Sequence, residues 1–275
     1  MEEGGAQPGV SRVEVDGRPA WRKRYGSGSR RIRLALLDLV ARALGLGALR
    51  PPPRHEGEDA ARVEARRLQA LGDAAVPVPD VLGQADGELL LSDMGDTLAS
   101  RLRAATPAQA EALFADAAEA IACVHAAGQY LGQPLPRNIT IDRSGRVGFL
   151  DFEEDPGEVM DLVRAQARDW LVFCSGAAKH VPFDEGRMAE LIGQALSSIA
   201  PEVRSELSRS ARRLGFLKTL SRPLGRRAAS LGKAVGGLQR ALWMAGWLML
   251  AVGLGADFVH DGEIELVSMA VDLFD

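Results

Sequence analysis

Lysine is scarce in this 275-residue chain: only four of its 33 basic side chains are lysines, Lys23, Lys179, Lys218 and Lys233. Metal-binding and disulfide-forming residues are just as thin. Cys123 and Cys174 are the two cysteines, no CxxC pair occurs, and His55, His125, His180 and His260 are scattered. This excludes a disulfide framework and a zinc site of ordinary spacing, and a reducing cytoplasm is the simpler compartment. The start, MEEGGAQPGVSRVEVDGRPAWRKRY, is acidic and lacks an apolar core, so it does not read as a secretory signal peptide and is expected in the mature protein. Neither an internal repeat nor a low-complexity linker stands out.

What is present is ordinary for a globular chain: 47% hydrophobic, 25% charged, with 33 basic against 37 acidic side chains. Wholesale disorder is excluded, and the length fits one large domain or two lobes. Codon bias accounts for the rarity of lysine. Even so, a lysine on a strand beside aromatics gains interest as a compact point charge.

Residues 10–25 read as two strands, VSRVEV and PAWRKRY, joined by the two-residue hairpin signal Asp16-Gly17. A Gly-Ser break at 26–29 precedes a leucine-rich helix over 30–49, ended by Gly45, Gly47 and Pro51-Pro52-Pro53. A second helix over 58–71 places Ala61, Glu64, Arg67 and Leu68 on neighbouring faces, and VPVPDVLGQADGELLLSDMG then reads as strand, turn, strand. The first hundred residues are thus expected to form a small mixed sheet with one or two helices. Thr106-Pro107 caps an alanine-rich helix over 108–127, and strands at 139–141 and 147–150 flank a turn at 142–145. Helices over 157–175, 183–199, 201–217 and 222–254, with a short one at 263–273, complete the pattern.

The chemistry concentrates between His125 and Glu154. A hairpin there brings Asn138, before its first strand, close to Asp151, after its second. Two hard oxygen donors so placed suit a Mg²⁺ carrying nucleotide phosphates; the alternative is a pair of turn residues solvating their own backbone. Lys23 shares one side of its strand with Trp21 and Tyr25, and is either a phosphate ligand or a solvated edge charge. Glu64 either faces a cleft or pairs with Arg62, Arg66 and Arg67 along its helix. His125 reads as a packing histidine.

VHAAGQYLGQPLPRNITID followed by VGFLDFEED resembles the catalytic segment of the protein-kinase-like superfamily, in which LHxxGxxHRDxxPxN precedes a strand pair and a DFG-type aspartate. His125, Gly128, Pro136, Asn138 and Asp151 fall in register. With RPPPRHEGEDA, VPVPDVL and a hinge at LLLSDMG, the layout over residues 10–190 looks most like the bacterial lipopolysaccharide kinases of the InaA and WaaP types. These are distantly similar to the small atypical kinases of tRNA-modifying assemblies.

The resemblance implies a two-lobed α+β fold, with a small antiparallel-sheet lobe at 1–94 and a mostly helical lobe at 95–275. It implies ATP and Mg²⁺ as cofactors, Lys23 and Glu64 as the phosphate-binding pair, and Asn138 and Asp151 as cofactor and metal ligands with Glu153 as a further oxygen donor. Asp169 would brace the catalytic loop. The acceptor would be a hydroxyl of a lipid-linked sugar at the cytoplasmic face.

The pattern also departs from the family. Leu131-Gly132-Gln133 replaces the HRD triplet, so Gln133 stands where an acidic proton acceptor is expected. Leu135 replaces the following lysine, Glu153 replaces the DFG glycine, and Gly4, Gly5 and Gly9 form no GxGxxG loop. A pseudokinase scaffold is therefore an alternative function, and a small kinase or ATPase of an RNA-modifying assembly a third.

Between residues 204 and 240, ten Arg or Lys accompany one acid, Glu206, ahead of an apolar run at 241–256. The stretch 204–256 fits an anionic membrane surface contacted peripherally, a buried helix, or, less well given its length, a span. Nucleic acid fits poorly, because the net charge is −4 and aromatics are not interleaved with the basic residues.

Overall fold

The computed structural model describes residues 9–26, 42, 45–215 and 233–242. Strands β1 (Gly9–Val15) and β2 (Arg18–Arg24) form the expected hairpin. Asp16 and Gly17 both have positive φ, 50° and 73°, the turn geometry whose twist matches that of the flanking strands. Helix α1 (Gly57–Asp73) follows, then a second hairpin of β3 (Val81–Ala85) and β4 (Glu88–Ser92). The sheet order is β1-β2-β4-β3 and every pairing is antiparallel. The expectation of a mixed sheet is thus corrected: α1 leads from β2 to β3, but it is β4 that docks beside β2, and β4 runs the opposite way to β2.

Residues opposite one another in an antiparallel pair share a face. Trp21 pairs with Leu91 and Lys23 with Leu89, and both leucines are buried. The buried residues of α1, Ala60, Ala61, Val63, Glu64, Arg67, Leu68 and Leu71, recur at helical spacing and pack against this sheet. Two polar groups, Glu64 and Arg67, are therefore carried inward with the apolar stripe.

A second, three-stranded sheet, β5 (Asp96–Thr97), β6 (Ile139–Ile141) and β7 (Val147–Phe149), lies in the order β5-β6-β7. The rest of the described chain is mostly helical: α2 (Leu98–Ala104), α3 (Pro107–Ala126), α4 (Leu162–Ala177), α5 (Glu185–Ser197), α6 (Pro201–Arg213) and α7 (233–242). Thr106 caps α3 reciprocally with Gln109, and alanines at 110, 117 and 118 bring α3 close to its neighbours. The core centres on α4, where Trp170 and Phe173 are fully buried and Phe173 stacks on Phe114 at 5.0 Å. The chain thus adopts the expected two-lobed α+β arrangement, a small antiparallel sheet with its helix and a mostly helical remainder.

The helix expected over 157–175 is displaced. A 3₁₀ turn (Pro156–Glu158) comes first, because the Asp155 carboxylate accepts the Gly157 N–H. Asp161 then caps Arg164 N at 2.9 Å and starts α4 afresh. Of the helix expected over 30–49, the described part holds a 3₁₀ turn (Gly47–Leu49) packed on α4 and α6; residues 30–41 lie outside the described residues. So do 263–273 and the flanks of α7, which include most of the apolar run at 241–256. No helix among the described residues is long and apolar enough to cross a membrane.

Cys174 sits fully buried in α4, where burial pushes its thiol pKa up, whereas Cys123 on α3 is exposed. Because the thiolate is the reactive form, an alkylating reagent should label Cys123 in the native protein and Cys174 only after unfolding. Peptide mass spectrometry reads this directly, and native labelling of Cys174 would contradict the core packing.

Candidate active site

Three separate elements converge at Lys23. β2 presents Lys23, α1 presents Glu64, and the chain leaving β7 presents Asp151 and Glu153. Lys23 Nζ donates to Glu64 Oε2 at 2.6 Å and to Asp151 Oδ1 at 2.7 Å, and lies 3.5 Å from Glu153 Oε2. β2 is an interior strand and Lys23 is largely buried, which corrects the solvated-edge reading. Glu64 is buried against the sheet and is not engaged in the helical pairs its neighbouring arginines suggested. Tyr25 caps it, the hydroxyl donating to Glu64 Oε2 at 2.5 Å.

The electrostatics follow from one ammonium among three carboxylates. Burial alone would lower the Lys23 pKa, but the attraction of Glu64, Asp151 and Glu153 outweighs it and holds the pKa above the ordinary lysine range. Lys23 is therefore a permanent cation. Burial beside Glu64 likewise raises the Tyr25 pKa and keeps its hydroxyl a donor.

Asn138 stands just before β6, and its Nδ2 donates to Gln133 O at 3.1 Å and Asp151 Oδ2 at 3.3 Å. Neither it nor Asp151 is a mere turn residue. Asp151 has φ 71°, a left-handed conformation that aspartate adopts at a cost and that places its carboxylate between Lys23 and Asn138. One oxygen each from Glu64, Asp151 and Glu153 lies within 4.8 Å of the others.

The segment preceding Asn138 is fixed from below. Asp169, fully buried in α4, accepts the backbone N–H groups of Leu131 and Gly132, each at 2.7 Å, and lies 3.0 Å from His125 Nε2. Gly132 has φ 87°, and a side chain there would meet the Pro156 ring at 3.0 Å, so the backbone turns here only because the residue is glycine. Gln133 follows, and its Nε2 donates to Glu154 Oε2. Burial raises the Glu154 pKa, while the Arg168 guanidinium opposes the rise. Arg168 in turn donates to Gly132 O and Arg50 O, both at 3.3 Å.

Sequence reasoning assigned no role to Tyr25, Glu154, Arg168 or Asp155. Tyr25 had a signal, the two-residue period that places it with Lys23. The others had none, because each acts through a partner distant in sequence. Asp155 accepts from Tyr130 Oη and from Arg66 Nη2, and Arg67 Nη2 donates to Tyr130 O at 2.7 Å, so α1 is tied at two further points to the chain between α3 and α4. A cavity of 1520 Å³ is lined by Trp21, Val78, Asp93, Met94 and Gly148, among others, but not by Lys23, Glu64 or Asp151.

No family model matches this sequence, and no curated protein matches it. Solved structures do match; one is a MAP kinase from Leishmania major. The identity is 14% and the TM-score 0.36, over 86% of this chain and 81% of that one. A likeness that distant carries no argument about this chain.

Asp169→Ala should strand the N–H groups of Leu131 and Gly132, at a cost of about 1–3 kcal/mol for each donor left buried and unmatched. Asp169→Asn, which keeps one acceptor oxygen, should lose less. Urea denaturation of the three proteins measures the difference, and equal stability would refute the bracing role.

Proposed function

We propose that this chain is an ATP- and Mg²⁺-dependent phosphotransferase acting on a hydroxyl. The observation that carries the proposal is the position of Lys23 Nζ, 2.6 Å from Glu64 and 2.7 Å from Asp151, with Asp151 in turn bonded to Asn138. The motif resemblance supports the same reading, with a small lobe to Met94 and a helical lobe after it.

In this reading Glu64 and Tyr25 hold Lys23 so that its ammonium meets phosphate oxygens. The donor set fits Mg²⁺: Asp151 and Glu153 would hold it through carboxylate oxygens that lie within 4.8 Å of each other, and Asn138 would add its amide oxygen once the amide turns from the Nδ2 contact it makes with Asp151. When bound, the ion would supply charge neutralisation of the transferring phosphoryl group. Glu154 replaces the acid missing at Gln133. Its carboxylate takes the proton of the acceptor hydroxyl as that oxygen bonds to the γ-phosphorus and the bond to the β-phosphate oxygen breaks, releasing ADP. Gln133 positions Glu154 and takes no proton itself. The acceptor is a sugar hydroxyl of a lipid-linked glycan, an assignment supported by the sequence resemblance alone.

A second reading, a scaffold without turnover, is favoured by Gln133 itself. Purified protein titrated with ATP and Mg²⁺ in a thermal melt tests the nucleotide site that the first reading requires, since a ligand that binds only the folded state raises its stability. Under the phosphotransferase reading Tm rises only with both present, and Asp151→Asn, which tolerates the left-handed backbone, abolishes the rise. No rise at saturating ATP favours the scaffold.

If turnover is found, Glu154→Gln should lower kcat by on the order of 10² to 10⁴ while leaving the nucleotide-dependent rise intact. Unchanged turnover in that variant would remove Glu154 from the chemistry.

A further inference from the structure

Among the described residues the small sheet ends at β1 on one side and at β3 on the other, and the two edges differ. β3 is five residues long and its register against β4 shifts between Val81 and Gly83, the kind of irregularity that blunts an edge. β1 is seven residues long, holds no proline or lysine, and pairs with β2 residue for residue from Gly9 opposite Arg24 to Val15 opposite Arg18. A long, regular edge without such devices is a template for a further strand.

Which backbone groups β1 offers follows from its turn. In a two-residue hairpin of this geometry the flanking residues, Val15 and Arg18, exchange both hydrogen bonds, and bonded and non-bonded pairs alternate from there. Gly9, Ser11, Val13 and Val15 therefore bond to β2. The N–H of Tyr25, just past β2, donates to Gly87 O at 2.9 Å and agrees with this phase, since it turns the odd-numbered residues of β2 toward β4 and the even-numbered ones toward β1. Val10, Arg12 and Glu14 are left with N–H and C=O groups directed away from the sheet.

We propose that β1 pairs antiparallel with β1 of a second copy of this chain, about a two-fold axis through Val13. Outward-directed residues must face one another, which leaves three main registers. With the axis at Val13, Arg12 of each copy stands opposite Glu14 of the other, so that two opposite-charge pairs form and each also exchanges two backbone hydrogen bonds. The two Val13 residues then form a non-bonded pair, the kind in which side chains lie closest. With the axis at Arg12, arginine opposes arginine. With the axis at Ser11, Arg12 faces Val10 and no ion pair forms. The sequence of the edge is thus complementary to itself in one register and not in the others.

Exposure agrees. Arg12 and Glu14 are exposed, the Arg12 side chain at 66% even with Asp93 4.0 Å away, while Val13 and Val15 on the other face are only half-buried and gain cover from the second copy. Backbone bonds supply attraction without selecting a register, and the charges select it. The contact uses the same strand of both copies, so it closes at two and joins two four-stranded sheets into one. It does not rest on the nucleotide reading, because Lys23, Glu64, Asn138 and Asp151 all lie outside β1.

Sedimentation velocity of the full chain, carried to several hundred micromolar, should show a reversible monomer–dimer equilibrium. Arg12→Glu and Glu14→Arg each place like charges at both pairs and should each weaken dimerisation about tenfold or more. An equimolar mixture of these two variants, one of them fluorescently labelled, should form mixed dimers with wild-type affinity, because each acidic edge then meets a basic one. The double variant Arg12→Glu/Glu14→Arg should also dimerise like wild type, and it serves if a single variant folds poorly by circular dichroism. A wild-type chain that stays monomeric throughout overturns the proposal. So does a dimer that neither single substitution weakens, which would place the contact on another face, or a loss that mixing fails to reverse.

Discussion

The ion cluster around Lys23 joins the small sheet, its helix and the β6–β7 hairpin at a single nitrogen. Each partner brings a constraint of its own: Glu64 is buried on α1, Asp151 is held in a left-handed backbone, and Glu153 is two residues beyond Asp151. Three carboxylates so close together would repel strongly in a partly desolvated pocket, and Lys23 is the cation that makes the arrangement tolerable. Without it, neither the inward position of Glu64 nor the approach of the hairpin to the sheet has an electrostatic basis. The scarcity of lysine in the chain makes its use here specific: a compact ammonium reaches two carboxylates through single-atom contacts that a planar guanidinium would spread apart.

A second hub lies beneath the first. Asp169 fixes the backbone at Leu131 and Gly132, Arg168 beside it holds Gly132 O, and Asn138 closes the loop by donating to Gln133 O. The helical part of the chain therefore determines where Asn138 stands, while the sheet determines where Lys23 stands. Asp151 is where the two frames meet, and its strained backbone is a consequence of answering to both.

Much of this was legible in the sequence where the signal was local. Asp16-Gly17 specifies its turn by tolerating positive φ at both positions, and Thr106-Pro107 specifies a helix start by supplying a cap and a fitted φ. Asn138 and Asp151 flank one hairpin and so were placed together by local signal, whereas motif order alone tied them to Lys23 and Glu64 in distant segments. What escaped was whatever depends on partners far apart in the chain. Glu154 is one acid in a run of three, and only the folded loop shows which of them meets Gln133. The break between Pro156 and Leu162 needed two aspartate caps to be recognised in succession, and the strand order needed the knowledge that β4, not β3, docks on β2.

The turn between β1 and β2 carries one more implication. Two residues joining adjacent strands leave no slack, so this hairpin cannot unfurl and fold down over the cleft as a longer loop would. The turn therefore moves with its two strands, on the microsecond-to-millisecond scale of whole-element motion rather than with the faster flicker of a loop.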